Sequence, residues 1–175
     1  FGSFVAVDGV DFEVRTGETF SLLGPNGAGK SSTMKMVSTV SPITSGSLRV
    51  LGGDPIADGR SIRQRMGVVP QEDTLDQELT VRENLVIYAR YFGASWASAR
   101  EKADELLDFA QLTERADAKV DPLSGGMKRR LTIARSLVND PEVAKTEAAT
   151  IAMAELIVPG TLGIVTDVTG LAVIS

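Results

Sequence analysis

Residues Gly24-Pro25-Asn26-Gly27-Ala28-Gly29-Lys30-Ser31 fit the pattern G-x-x-x-x-G-K-[ST], and a chain that carries this phosphate-cradling P-loop has few folds open to it. The pattern needs a strand running into the loop and a helix running out. Thr19-Phe20-Ser21-Leu22-Leu23 reads as the strand, buried, and Ser32-Thr33-Met34-Lys35-Met36-Val37 reads as the helix. The expected fold is α/β. The glycines let successive backbone N–H groups turn inward at phosphate oxygens. The helix aims its positive end at the same anion. Lys30 is placed to meet the β- and γ-phosphates as a point charge, and the Ser31 hydroxyl to sit on Mg²⁺, with Ser32 beside it. The competing reading, a Gly-rich turn with an exposed lysine, gives no reason for the flanking strand and helix.

Composition narrows the field. The 175 residues are 43% hydrophobic, enough for one domain with a real core. A net charge of −5 gives no electrostatic case for a nucleic-acid partner. Cysteine is absent, which excludes a disulfide framework and a thiolate zinc site. Histidine is absent too, which removes the commonest general base. The opening Phe1-Gly2-Ser3-Phe4 lacks the basic and apolar stretches of a secretory leader, and the missing Met reads as a fragment or a processed chain. No stretch is long and apolar enough to read as a membrane span.

Along the chain, Val5–Val7 and Val10–Val14 read as strands divided by an Asp8-Gly9 turn, and Ser47–Leu51 as another strand closed by Gly52-Gly53. Ser61–Met66 reads as a short helix and Gly67–Pro70 as a short strand with Gln71 at its end. Thr80 and Glu83 form a capping box ahead of Leu85, Tyr88, Ala89 and Phe92 on one face. Ser98 and Glu101 repeat the pattern ahead of Ala103, Leu106, Leu107 and Ala110. After the Asp121-Pro122 break, Met127, Leu131, Ala134 and Val138 line a third helix, with Lys128, Arg129 and Arg135 read as its solvated side.

Leu123-Ser124-Gly125-Gly126-Met127 opens that helix; taken alone it reads as a glycine-rich cap, or, through its hydroxyl and glycine amides, as a second ready anion site. Taken with the P-loop and the intervening glutamine, the chain resembles the nucleotide-binding domain of ABC transporters from residue 1 to about 143. The resemblance implies a P-loop NTPase fold of ABC type, with a small antiparallel β-region, an α/β core and a helical subdomain at about 73–123. By it, Gly24–Ser31 is Walker A and Gln71 is the Q-loop glutamine, a catalytic and Mg²⁺-contacting group alongside Ser31. Ser124, Gly125 and Gly126 belong to the signature, and Phe1 falls where the family stacks an aromatic on adenine. The runs around Val68–Asp76 and Gly125–Leu131 look like ABC-2-type exporter ATPases of the drug-resistance and nodulation-factor export groups. The resemblance implies ATP and Mg²⁺ as cofactors and a head-to-tail homodimer joining P-loop and signature faces. It also implies an ABC-2-type permease as partner, and a peripheral place on the cytoplasmic face of the cell membrane.

The chain departs from that pattern after the signature helix. The family continues with an apolar strand ending in Asp-Glu, the Asp supporting Mg²⁺ and the Glu polarising water, and later with a switch histidine. No Asp-Glu pair comes after Gly126, and there is no histidine. Residues 144–175 read as an atypical tail on a domain that stops before Walker B. The tail is a fusion or misassembly junction, a substitute strand at Leu162–Asp167, or part of a membrane segment in which Leu171–Ile174 takes part. Expected are a loosely packed helix near Glu142–Val158, a short extended piece after it, and an unpaired edge on the P-loop strand. The functional expectation is an ATP-binding export subunit defective in hydrolysis. The alternative is a non-catalytic module that docks a permease with a vestigial ATP site.

Overall fold

The computed structural model describes residues 5–18, 20–70, 72, 74–146 and 171–173. In chain order these form β1 (Ser21–Leu23), α1 (Lys30–Val37), α2 (Gly59–Gln64), β2 (Met66–Val69), α3 (Val81–Tyr91) and α4 (Trp96–Phe109). Next come a 3₁₀ turn (Thr113–Arg115), α5 (Gly125–Arg135), β3 (Val143–Thr146) and β4 (Leu171–Val173). The chain divides into two compact units, Phe1–Arg63 with Glu147–Ser175, and Gln64–Thr146.

In the first unit β1 enters the glycine-rich loop and α1 leaves it, as the motif requires. The strand is not the buried one expected: Leu23 keeps 46% of its surface exposed. The segments 5–7 and 10–14 form no ladder, and antiparallel pairing near Ser47–Leu51 is reduced to one bridge, Val50 to Gly53. Alternation of apolar residues states which face a strand would bury but supplies no neighbour to bond it. Val5, Phe12 and Val14 are accordingly exposed. The edge of β1 is paired, contrary to expectation. Ser21, Leu22 and Leu23 lie in parallel register with Leu171, Ala172 and Val173. The stretch read as membrane-like is thus a strand over those three residues, because open N–H and C=O groups of β1 are satisfied by any extended segment that reaches them.

The second unit holds the larger core. Leu85 and Ala89 of α3, Ala99, Ala103, Leu106 and Leu107 of α4, and Leu131 and Ala134 of α5 are all buried in one cluster. Tyr88, Phe92 and Met127 pack against it half-buried. These are the faces that the helical spacing marks, and each fully buried leucine contributes about 1.5–3 kcal/mol. Thr80 caps α3 as expected, its hydroxyl accepting from Glu83 N–H at 3.1 Å while Glu83 Oε2 accepts from Thr80 N–H at 2.7 Å. The bond from Thr80 N–H, with the Thr80 hydroxyl adding to it, holds the Glu83 carboxyl below the usual carboxylate range. The start of α3 is closed further by Ala118 O and Ala116 O, which accept from Val81 and Arg82 N–H at 2.9 Å each. Helix α4 begins three residues before its expected start. Its cap is Ser95, accepting from Ser98 N–H at 3.1 Å, and Ser98 lies in the first turn. Both serines offer a capping hydroxyl, and the one nearer the glycine turn at Gly93 takes the role.

Strand β3 replaces the helix expected from Glu142 onward, over Val143–Thr146; residues 147–158 lie outside the described residues. The cause is β2, whose Met66, Gly67 and Val69 are buried and whose backbone needs a partner. Met66, Gly67, Val68 and Val69 run parallel to Val143, Ala144, Lys145 and Thr146. Three contacts set that register. Glu142 N–H donates to Arg65 O at 2.8 Å. Asn139 Nδ2 donates to Gln64 O at 2.9 Å. Arg65 grips Glu142 with Nε and Nη2, both at 2.6 Å, which holds the Glu142 carboxyl low and the Arg65 guanidinium high.

Gly67 lets β2 lie against the end of α5. A Cβ there would overlap the Ser136 carbonyl oxygen and stand 3.0 Å from Pro141 Cγ. Gly67→Ala is therefore expected to destabilise the protein by about 1–3 kcal/mol, since main chain must give way. Equilibrium urea denaturation checks this; an unchanged midpoint contradicts it.

Candidate phosphate-binding site

The loop between β1 and α1 is built around Gly29. It caps α1 in the left-handed region, φ 86°, with no side-chain cap. A Cβ there would meet Ala6 O at 2.6 Å and Val7 Cγ2 at 2.9 Å, so both backbone conformation and space demand glycine. Its carbonyl accepts from Thr33 N–H at 2.8 Å and Thr33 Oγ1 at 3.1 Å, which seats the first turn of α1 on the buried Thr33. Gly24, Pro25, Asn26 and Gly27 are exposed, and Ala28 folds over Pro25, its N–H donating to Pro25 O at 3.3 Å.

Lys30 opens α1 and bends back over this loop. Its Nζ donates to Gly24 O and Pro25 O, both at 2.7 Å. No described carboxylate pairs with it. The site therefore contributes one cation and the positive start of α1, with no fixed anion among its described partners, which suits a phosphate group. Ser31 is exposed and Ser32 half-buried in the first turn of α1, within the same loop–helix junction. Among the described residues no cluster of three or more acidic side chains could hold a metal by itself.

Ser124 lies in the second unit and caps α5, its hydroxyl accepting from Met127 N–H at 3.3 Å. Ser124, Gly125 and Gly126 are exposed, and nothing lies within 4 Å of a Cβ added at either glycine. The structure thus brings Gly24–Ser32 together in one unit and Ser124–Gly126 together in the other. Phe1 and Gln71 lie outside the described residues.

Two residues read as solvated are not. Arg135 is 9% exposed; its Nη1 donates to Thr74 O at 2.7 Å, its Nη2 bonds Thr74 Oγ1, and its guanidinium lies 4.8 Å from the Tyr88 ring centroid. Arg129 is half-buried and donates from Nη1 to Pro70 O at 2.7 Å. A guanidinium is weakly hydrated and carries a fork of donors, so it can be buried where carbonyls meet it. The spacing holds a signal for Arg135, which stands at i+4 from Leu131 and so on the packed side of α5.

Comparison with known proteins adds to this geometry. The ABC transporter family model matches residues 7–145. The chain is 55% identical over 139 residues to Nod factor export ATP-binding protein I of Burkholderia pseudomallei (strain K96243), covering 79% of this chain and 46% of that protein. It is 52% identical over 143 residues to the protein of the same name from Rhizobium sp. (strain N33), covering 82% and 47%. The chain thus spans about half the length of these relatives. Among solved structures, an ATP-binding subunit of an ABC transporter superposes with a TM-score of 0.73 at 27% identity, covering 83% of this chain and 61% of that one. The ATP-binding cassette MJ0796, a dimer in a post-hydrolysis state bound to ADP and Pi, superposes with a TM-score of 0.71 at 28% identity, covering 84% and 68%.

Proposed function

Because the chain belongs to the ABC transporter family and has its P-loop NTPase fold, we propose that it is the ATP-binding part of an export subunit that works through a membrane permease. The observation that carries this is Lys30, a cation held only by carbonyls of its own loop among its described partners, at the start of α1. Backbone N–H groups of the loop and the Lys30 ammonium would hold the β- and γ-phosphates. Mg²⁺, when bound, neutralises phosphate charge; Ser31 would hold it, with Gln71 assigned beside it by family resemblance. Phe1 is assigned to the adenine on the same ground.

The exposed Ser124, Gly125 and Gly126 at the start of α5 support a head-to-tail homodimer, in which they would cover the nucleotide on a partner's P-loop. The sequence runs around Gln71 and Met127 support an ABC-2-type permease. No described helix is long and apolar enough to cross a membrane, which accords with a peripheral place on the cytoplasmic face. We assign residues 1–143 to the ATP-binding domain, with its helical subdomain at about 73–123; residues 144–146 stay with it through β3, and the tail follows from 147.

Titration of the purified chain with ATP, with and without Mg²⁺, tests this reading. Expected is saturable binding that tightens with Mg²⁺. Absence of ATP binding overturns it in favour of the second reading, a non-catalytic docking module. One observation favours that module: Tyr91 and Trp96, 78% and 50% exposed, stand at the turn between α3 and α4 and offer a partner an aromatic surface.

A further inference from the structure

Arg129 and Arg135 fix the two sides of the segment that holds Gln71 to one helix. Arg129 Nη1 donates to Pro70 O, at the exit of β2, at 2.7 Å. Further along α5, Arg135 Nη1 donates to Thr74 O at 2.7 Å, and the ring of Tyr88 covers its guanidinium. Asn84 of α3 then fixes the next stretch, its Oδ1 accepting from Asp76 N–H at 2.9 Å and its Nδ2 donating to Asp76 O at 3.0 Å. The arginine contacts to Pro70 and Thr74 include main-chain carbonyls, so they hold the path of the chain whatever its side chains are. Bonds from a charged donor are about twice as strong as neutral ones. Helix α5 is also the element whose first residues are Gly125 and Gly126.

We propose that Arg129 is a positioning residue: it makes the exit of β2 move with α5, so that a shift of the helix start at Ser124 is delivered to Pro70 through one side chain. Its relevance to catalysis rests on the proposed function, in which Gln71 serves the nucleotide on the chain's own P-loop and Ser124 the nucleotide on a partner's. The anchor itself is independent of nucleotide.

Hydrogen exchange on the nucleotide-free chain separates the two. In Arg129→Met, which keeps length and apolar stem but removes the donors, amides in peptides spanning 69–78 are expected to exchange about tenfold or more faster. In Arg129→Lys, which restores one charged donor, the acceleration is expected to be smaller. Peptides from α4 are expected to keep their wild-type rates in both variants. Unchanged exchange at 69–78 overturns the proposal. So does equal acceleration in α4, which would make Arg129 a general stabiliser. Failure to bind ATP would touch only the link to catalysis.

Discussion

Phosphate release by the pure chain from MgATP is expected to be about 10²–10⁴-fold slower than that of an ATPase with a positioned base, the range that one such base contributes. The reason lies in the residues on the C-terminal side of α5. The family places an Asp-Glu pair at the end of the strand there, and here β3 ends on Lys145-Thr146, with Glu147-Ala148 next in sequence. With no histidine in the chain, no imidazole can take over the task of orienting water. A P-loop and a signature can still bind and neutralise the phosphates, so binding and turnover are expected to separate. A steady-state phosphate assay at saturating ATP checks this. Robust turnover that is lost with Lys30→Ala would overturn the expectation. The candidate bases would then be Glu147, the first carboxylate after β3 in sequence, and Asp167.

Lys30→Ala is expected to weaken ATP binding by about 10- to 150-fold, the loss of a charge-assisted contact worth roughly 1.5–3 kcal/mol. The substitution leaves Gly29 and its cap on α1 in place, so the cradle keeps its backbone. The group removed is the ammonium now resting on Gly24 O and Pro25 O, which loses only two carbonyl contacts when it turns to phosphate. Isothermal titration of both proteins with ATP gives the ratio directly. Equal affinities would show that Lys30 does not meet the nucleotide.

These two expectations rest on residues that the sequence displays plainly, because a P-loop is local. Its glycines, its lysine and its helix are consecutive, and α1 forms where the motif demands it. The amphipathic faces of α3, α4 and α5 are legible for the same reason, since apolar residues recur at helical spacing within each, and Leu85, Leu106 and Leu131 on those faces are buried. Pairing is not local. Nothing in Leu171-Ala172-Val173 names Ser21–Leu23 as its neighbour, and nothing in Val5–Val14 reveals that a ladder will not form. Arg129 shows the same limit at a single side chain. Its charge reads as solvent-seeking, and the approach of Pro70 O to α5, far off in sequence, gives that charge an inward use.

The closure at the start of α3 has a consequence for how this protein can vary. Thr80 is bridged to Lys119, and the amides of Val81 and Arg82 are spoken for by Ala118 and Ala116. The helical arm is therefore a loop tied at its base, with α3 and α4 joined at the far side through the left-handed Gly93. Lengthening a loop whose ends are already tied costs little, roughly 0.6 kcal/mol for each doubling. Extra residues inserted at 92–95 would leave the base unchanged, whereas one residue added between 116 and 119 would break its register. Lineages of such proteins can thus lengthen and reshape the tip, with its Tyr91 and Trp96, while the footing of the arm stays constant.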